Sequence, residues 1–314
     1  MHALVTGVAG FVGSNLADAL LDRGDSVVGV DCFTPYYDAA DKEANIAPAR
    51  ANARFTFVDL DLRTGALEPL LDGVDAVFHQ AAQAGVRGSW ADGFADYVGH
   101  NVLATQRLLE AAVAARPDAR VVYASSSSVY GNQSHYPTQE SDLPRPFSPY
   151  GVTKLAAEHL CSLYAENWNL STVSLRYFTV FGPRQRPDMS IHRLCEAAIH
   201  GSTFPRFGDG SQIREFTYVD DIVRGNVLAA GLDIPPGTYC NLAGGGEITL
   251  SELIEVVGDL AGVAVKIDEQ PRQAGDAFRN GGCIDRARDL LGWEPAISLR
   301  DGLRAQLDWH RSRE

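Results

Sequence analysis

The chain has 314 residues, of which 45% are hydrophobic and 21% charged, a balance that excludes a disordered or fibrous polymer. That length suffices for one large domain or two unequal ones with a sizeable core. The formal net charge of −13 excludes nucleic acid as the main partner, because phosphate backbones need clustered Lys and Arg, but it leaves room for a small anion held by local charge.

In chain order, Ala3 to Thr6 reads as a first strand, continuously apolar as buried parallel strands are. Gly7-Val8-Ala9-Gly10-Phe11-Val12-Gly13 follows, with spacing G-x-x-G-x-x-G, and opens a helix over Phe11 to Asp22. Glycines there let the chain turn tightly and bring amides close to a pyrophosphate, and the helix N-terminus favours the negative charge. Ser26 to Asp31 is the second strand. Asp31, 24 positions after Gly7, is spaced to bond an adenosine ribose. A carboxylate there repels a 2′-phosphate and selects NAD over NADP. The other reading of Asp31 is an ordinary strand-end aspartate.

Phe55 to Val58 is the third strand, followed by Asp61-Leu62, which serves as an adenine contact or as a solvated loop. Ala76 to His79 is the fourth. His79 reads as a packed histidine, and the residues Gln80-Ala81-Ala82-Gln83 let backbone lie close to a cofactor. A helix spans Tyr97 to Ala115. Val121 to Ser125 is the fifth strand and runs into Ser125-Ser126-Ser127-Ser128-Val129-Tyr130-Gly131. In open α/β sheets ligands bind at the carboxyl ends of strands, where these hydroxyls bond a polar substrate or relay a proton.

Pro149 suits a helix start, and Tyr150 to Trp168 reads as that helix. Tyr150 and Lys154, at i and i+4, share one face. A free tyrosine has a pKa of about 10, too high for a base at neutral pH. A nearby ammonium and an oxidised nicotinamide would lower it. Alone, the pair also reads as a surface pair on an amphipathic helix. Thr172 to Tyr177 is the sixth strand.

Strands alternating with helices define an α/β fold, a Rossmann-type doubly wound parallel sheet. After Phe178 the rhythm breaks at Gly182-Pro183-Arg184-Gln185-Arg186-Pro187. The expected division is a dinucleotide-binding domain over 1–177, with about 214–232 returning to it. A smaller α/β lobe then takes 178–213 and 233–314. The five cysteines (Cys32, Cys161, Cys195, Cys240 and Cys283) are scattered without a C-x-x-C, so reduced thiols are expected, with neither a disulfide framework nor a metal site. Met1-His2 leads directly into Ala3-Leu4-Val5, with no basic leader and no span-length apolar run, so a soluble cytoplasmic protein is expected.

With glycine turn, serine run and Tyr-Lys pair in this order, the sequence resembles the extended short-chain dehydrogenase/reductase family of NAD-dependent sugar-nucleotide epimerases and dehydratases. The likeness covers nearly the whole chain. It continues through Phe207-Gly208-Asp209-Gly210, Arg214 to Asp221 and Gly275-Asp276. Within the family it is most similar to UDP-glucuronate 4-epimerases, on His79 to Arg87, the serine run and Arg176 to Met189. UDP-glucose 4-epimerases typically carry Asn where this chain has Thr179. Dehydratases carry Asp-Glu after the catalytic hydroxyl, and decarboxylases a Glu shortly before Val-Tyr-Gly. Here those places are Ser127 and Ser128, so 5,6-elimination lacks an evident proton donor.

The resemblance implies Tyr150 as base, Ser126 as its hydroxyl partner, and Lys154 as the residue that binds cofactor and lowers the tyrosine pKa. It implies NAD contacts from Gly7, Gly10, Phe11, Val12, Asp31, Asp61, Leu62, Gln80, Ala81, Ala82, Gln83, Asn101, Ser125 and Tyr177. The substrate set is Ser126, Ser127, Ser128, Thr179, Arg193, Phe207, Arg214, Arg272 and Asp276, with Arg87 or Arg186 opposite a uronate carboxylate. Each of those two arginines also reads as a structural charge. The activity implied is 4-epimerisation of UDP-glucuronate to UDP-galacturonate by a homodimer. The alternatives are a UDP-glucose/UDP-galactose 4-epimerase, a UDP-glucuronate decarboxylase and a non-catalytic NAD-binding protein.

Overall fold

In the computed structural model, residues 1–271 and 279–313 are described. Seven parallel strands form the central sheet: β1 (His2–Thr6), β2 (Ser26–Asp31), β3 (Phe55–Asp59), β4 (Ala76–His79), β5 (Arg120–Ser126), β6 (Thr172–Tyr177) and a late strand, Thr238–Leu242. The described residues hold five more strands: β7 (Thr179–Phe181), β8 (Thr203–Phe207), β9 (Ile213–Tyr218), β11 (Glu247–Thr249) and β12 (Lys266–Gln270), the late strand being β10. The sheet order is β3-β2-β1-β4-β5-β6-β10. The order reverses between β1 and β4, and there the strand ends open a crevice beside Gly7 and Gln80. β7, β9 and β11 form a three-stranded sheet, and β8 pairs with β12.

The helices are α1 (Phe11–Asp22), α2 (Ala39–Arg50), α3 (Phe94–Tyr97), α4 (Ala104–Ala115), α5 (Pro149–Trp168), α6 (Ser190–His200), α7 (Val219–Gly231), α8 (Leu250–Ala261), α9 (Asp285–Leu291) and α10 (Leu299–Arg311). Leu16, Leu20 and Val5 bury one face of the sheet against α1, while Leu108, Leu109 and Val121 bury the other against α4. α10 is fastened to α6 through His310 Nδ1 and Glu196 Oε1, 2.5 Å apart. Among the described residues no helix is long and apolar enough to cross a membrane. All five cysteines are free thiols.

Three features depart from the sequence reading. Thr238–Leu242, expected in the smaller lobe, pairs with β6 in register Thr238↔Val173 and extends the central sheet. Non-local pairing of this kind leaves no local signature. Within the segment 214–232, α7 packs on α1, while β9 just before it lies in the three-stranded sheet. The helix expected over Tyr97 to Ala115 is α3 and α4 joined by a π-helical stretch, Val98–Leu103. That stretch turns Asn101 toward Gln83, whose N–H donates to Asn101 Oδ1 (2.8 Å) and whose carbonyl accepts from Nδ2 (3.0 Å). π-Bulges of this kind concentrate at functional sites.

Candidate active site

At the glycine turn close backbone approaches leave no room for a side chain at two positions. α1 begins at Gly10 with no side-chain cap, so its first amides keep no side-chain acceptor. Gly7 has φ +67°, and a Cβ there would sit 2.7 Å from Ala81 backbone. A Cβ on Gly13 would sit 2.2 Å from the Gly7 carbonyl oxygen. At the end of β2, Asp31 accepts from the amides of Ala9 (3.1 Å) and Phe33 (2.9 Å), tying the turn to the next strand. Burial pushes its carboxyl up, and those amides with Lys42 pull it back. A bare helix N-terminus over glycine, with a carboxylate one strand away, fits the pyrophosphate and ribose of a dinucleotide.

One cleft runs from this turn along the sheet edge. Gly7, Gly10, Phe11 and Val12 line its start, Asp31, Asp61 and Leu62 one flank, and Gln80 to Gln83 the other. Ser125, Tyr150, Lys154 and Tyr177 close its far end. Asn101, expected as a cofactor contact, does not line it. Its Nδ2 donates to the Gln83 carbonyl and to Thr153 Oγ1 (3.0 Å) and its Oδ1 accepts from Gln83 N, so it shapes the Gln80–Gln83 wall instead. His79 is packed, its ring nitrogens bonded to Thr6 (2.7 Å) and Thr105 (2.9 Å) hydroxyls. Tyr36, Tyr37 and Lys42 also line the cleft. They lie on the loop after β2 and on α2, segments without a motif.

Substituting Gly13→Ala tests the cradle. The added methyl must push α1 off the turn, a strain of about 1–3 kcal/mol. NAD affinity by calorimetry is expected to fall about tenfold to a hundredfold. Unchanged affinity would dismiss this turn as the pyrophosphate site.

α5 carries the reactive pair. Ser148 Oγ accepts from Gly151 N at 3.1 Å and Pro149 takes the first position, which starts the helix one residue before Tyr150. Tyr150 lies where this cleft meets a second one, and lines both. Burial raises its pKa. The Ser126 hydroxyl hydrogen bond and the charge of Arg186 pull it back. Ser126 Oγ accepts from Ser128 N at 3.1 Å, so its own O–H is left to donate. Lys154 is buried with its Nζ 4.6 Å over the Tyr123 ring, and burial lowers its pKa to about 7.

Ser126, Ser127, Ser128, Thr179, Arg87, Arg186, Arg193, Phe207 and Arg214 all line the second cleft. The β5–β6 register Ser126↔Tyr177 puts the serine run beside Thr179, two residues on. Asn280, which sequence reasoning missed, donates to Thr179 Oγ1 at 3.0 Å and accepts from Glu215 N at 2.9 Å. Arg87 stacks its guanidinium 4.5 Å over the Phe207 ring. Arg186 is held in a two-point pair by Asp188 (2.9 and 3.0 Å), which also accepts from Tyr36 O–H at 3.3 Å. Arg214 donates to the Ile213 carbonyl at 2.8 Å. Arg272 and Asp276 lie outside the described residues.

A dinucleotide cradle at a sheet switch point, leading into a tyrosine–serine–lysine cluster and a basic second cleft, defines a Rossmann-type redox enzyme acting on a polar, anionic substrate. The comparisons with known proteins specify that class. Residues 3–243 match the NAD dependent epimerase/dehydratase family, and the chain belongs to it. It is 40% identical to an uncharacterised UDP-glucose epimerase of Bacillus subtilis, with 96% of each chain covered. It is 36% identical to a UDP-glucuronate 4-epimerase of Thermodesulfobacterium geofontis, over 99% of this chain and 96% of that one. The crystal structure of a UDP-glucuronic acid 4-epimerase from Bacillus cereus, in complex with UDP-glucuronic acid and NAD, superposes with a TM-score of 0.96 at 40% identity over the whole of both chains.

Proposed function

We propose that this chain is an isomerase, an NAD-dependent UDP-glucuronate 4-epimerase that interconverts UDP-glucuronate and UDP-galacturonate. The observation that carries it is the set of hydroxyls and one arginine around Tyr150: Ser126, Ser127, Ser128, Thr179 and Arg186, with no carboxylic acid at 127 or 128. The dinucleotide-binding unit supplies Tyr150 and Lys154, and the smaller lobe supplies the basic wall for the nucleotide sugar. The glycine turn and Asp31 would hold NAD, which would supply the hydride acceptor for C4 and the donor for its return. Tyr150 as phenolate takes the 4-OH proton, directly or through Ser126, and gives it back to the C4 oxygen of the epimer. Lys154 as ammonium holds cofactor and favours the phenolate.

A uronate carries a hazard, because the 4-keto sugar is a β-keto acid and loses CO2 when its carboxylate aligns with the carbonyl. Ser127, Ser128 and Thr179 hold that carboxylate by hydrogen bonds, and Arg186 by charge. The same reading makes the enzyme a cytoplasmic homodimer packed through α4 and α5. The exposure of Val152, Leu163 and Trp168 on α5 supports that contact.

The test is product analysis with a panel of UDP-hexoses and UDP-uronates. UDP-glucuronate is expected to yield UDP-galacturonate with no net NADH. Much faster turnover of UDP-glucose would replace the uronate assignment by the hexose one, the activity that the Bacillus subtilis relative's name carries. Accumulating UDP-pentose would indicate a decarboxylase.

A further inference from the structure

Lys154 must hold a proton in a place that discourages one, being 3% exposed and with burial lowering its pKa to about 7. Titratable groups surround it. From β4, His79 is buried between two threonine hydroxyls and is pushed down to about 3, hence a neutral imidazole. From β5, the Tyr123 phenol is raised by burial and stays neutral. On α5 itself, burial raises the Tyr150 phenol and lifts the Cys161 thiol to about 12. From β6, Arg176 is a cation. Glu158, one turn beyond Lys154, is the remaining group.

Glu158 is as buried as Lys154, and its two-point pairing with Arg176 (Nε to Oε2 3.0 Å, Nη2 to Oε1 2.6 Å) defines it as a carboxylate. Ser125 O–H donates to Oε2 at 2.6 Å. Arg176 continues to the Tyr130 hydroxyl (2.6 Å), which donates to Asn241 Oδ1 (2.7 Å). This one carboxylate thus joins α5 to the ends of β5, β6 and β10, directly beneath the reactive cluster. A buried ion pair is at best neutral for stability against a packed apolar pair, so its presence here asks for another reason.

We propose that Glu158 is a positioning residue for the reaction: it is the counter-charge that keeps Lys154 protonated, and through Ser125 and Arg176 it aligns α5 with the strand ends that carry the serines. The inference rests on the reading of Lys154 as a working ammonium. The ammonium exists below the lysine pKa and is lost as pH rises through it. Removing the Glu158 charge lowers that pKa further, so function is lost at lower pH.

The experiment measures NAD affinity against pH, and kcat/KM against pH with whichever UDP-sugar is turned over. Glu158→Gln is expected to move the alkaline limb of both down by about one pH unit, while Glu158→Asp, which keeps the charge, leaves the limb near its wild-type position. Because Glu158→Gln strands a buried arginine, Glu158→Gln with Arg176→Gln is measured beside it; the pair removes one charge of each sign, so its limb is expected to move down by less than in Glu158→Gln alone. A uniform loss at every pH in Glu158→Gln with the limb unmoved, or a limb that moves as far in the double variant as in Glu158→Gln, would overturn the proposal. So would an equal shift in Glu158→Asp. If UDP-glucuronate is not a substrate but the NAD-binding limb still moves, this inference stands and the substrate assignment falls.

Discussion

Replacing Tyr150 by phenylalanine is expected to lower kcat by about 10³-fold, in the middle of the range that a positioned acid–base group supplies. Tyr36 and Tyr177 also line both clefts, but the Tyr36 O–H is given to Asp188 and the Tyr177 O–H to Gln80 and Asn226, so neither is placed to take over its proton. Ser126 hydrogen-bonds Tyr150, but among the described residues its hydroxyl is bonded to no other base, and its oxygen already accepts from Ser128 N. NAD affinity should stay within a few-fold, because the cradle at Gly7 to Gly13 and the Lys154 amine are untouched. Purified variant and wild type should therefore carry the same cofactor by absorbance and differ in turnover. The pH dependence has a defined sign. Burial raises the Tyr150 pKa, so the phenolate fraction, and with it kcat, climbs with pH through the acid limb. Ser126→Ala removes the hydrogen bond that pulls that pKa back, and should shift the limb upward. A Tyr150→Phe protein of full activity would end the mechanism.

How much of this was legible beforehand depends on how local each feature is. The glycine turn, the serine run and the Tyr-Lys pair each sit within seven or fewer consecutive residues, so chemistry and spacing announce them, and the structure gathers them along adjoining clefts. Parallel strands were readable for the same reason, being short continuous apolar runs. What could not be read is whatever spans the fold. β10 joins the central sheet across some sixty residues of intervening chain. Asn280 reaches Thr179 from 101 positions away. The Glu158–Arg176 pair connects a helix to a strand on a basis that no motif expresses. The π-helical stretch at Val98–Leu103 was hidden differently: its apolar spacing passes for an ordinary helix, and only the hydrogen bonds from Asn101 to Gln83 explain why the helix widens there. Asp188 was visible as a residue but not as a partner, and that matters for what Arg186 can do.

Arg186→Met is expected to lower kcat/KM for UDP-glucuronate by about 10²-fold, equivalent to about 2.7 kcal/mol, which is the scale of a lost charge-assisted hydrogen bond. In the structure Asp188 takes Nε and Nη2 of the guanidinium and leaves Nη1 outside that pair. A substrate carboxylate must therefore share the arginine with Asp188, which in turn holds Tyr36 on the cofactor side. Arg186→Lys should recover little, because an ammonium cannot serve two carboxylates with a planar fork. The arginine also acts on Tyr150, pulling its pKa down, so a second effect accompanies the first. Losing that charge raises the tyrosine pKa and moves the acid limb up for every substrate alike. The two effects separate by comparing UDP-glucuronate with UDP-glucose at one pH. The tyrosine effect is common to both sugars, so the carboxylate contact alone distinguishes them, and the uronate should lose about 10²-fold more than the neutral sugar. Equal losses with both sugars would mean that Arg186 serves the tyrosine alone, and the carboxylate on C5 would need another anchor among Ser127, Ser128, Thr179 and Arg87.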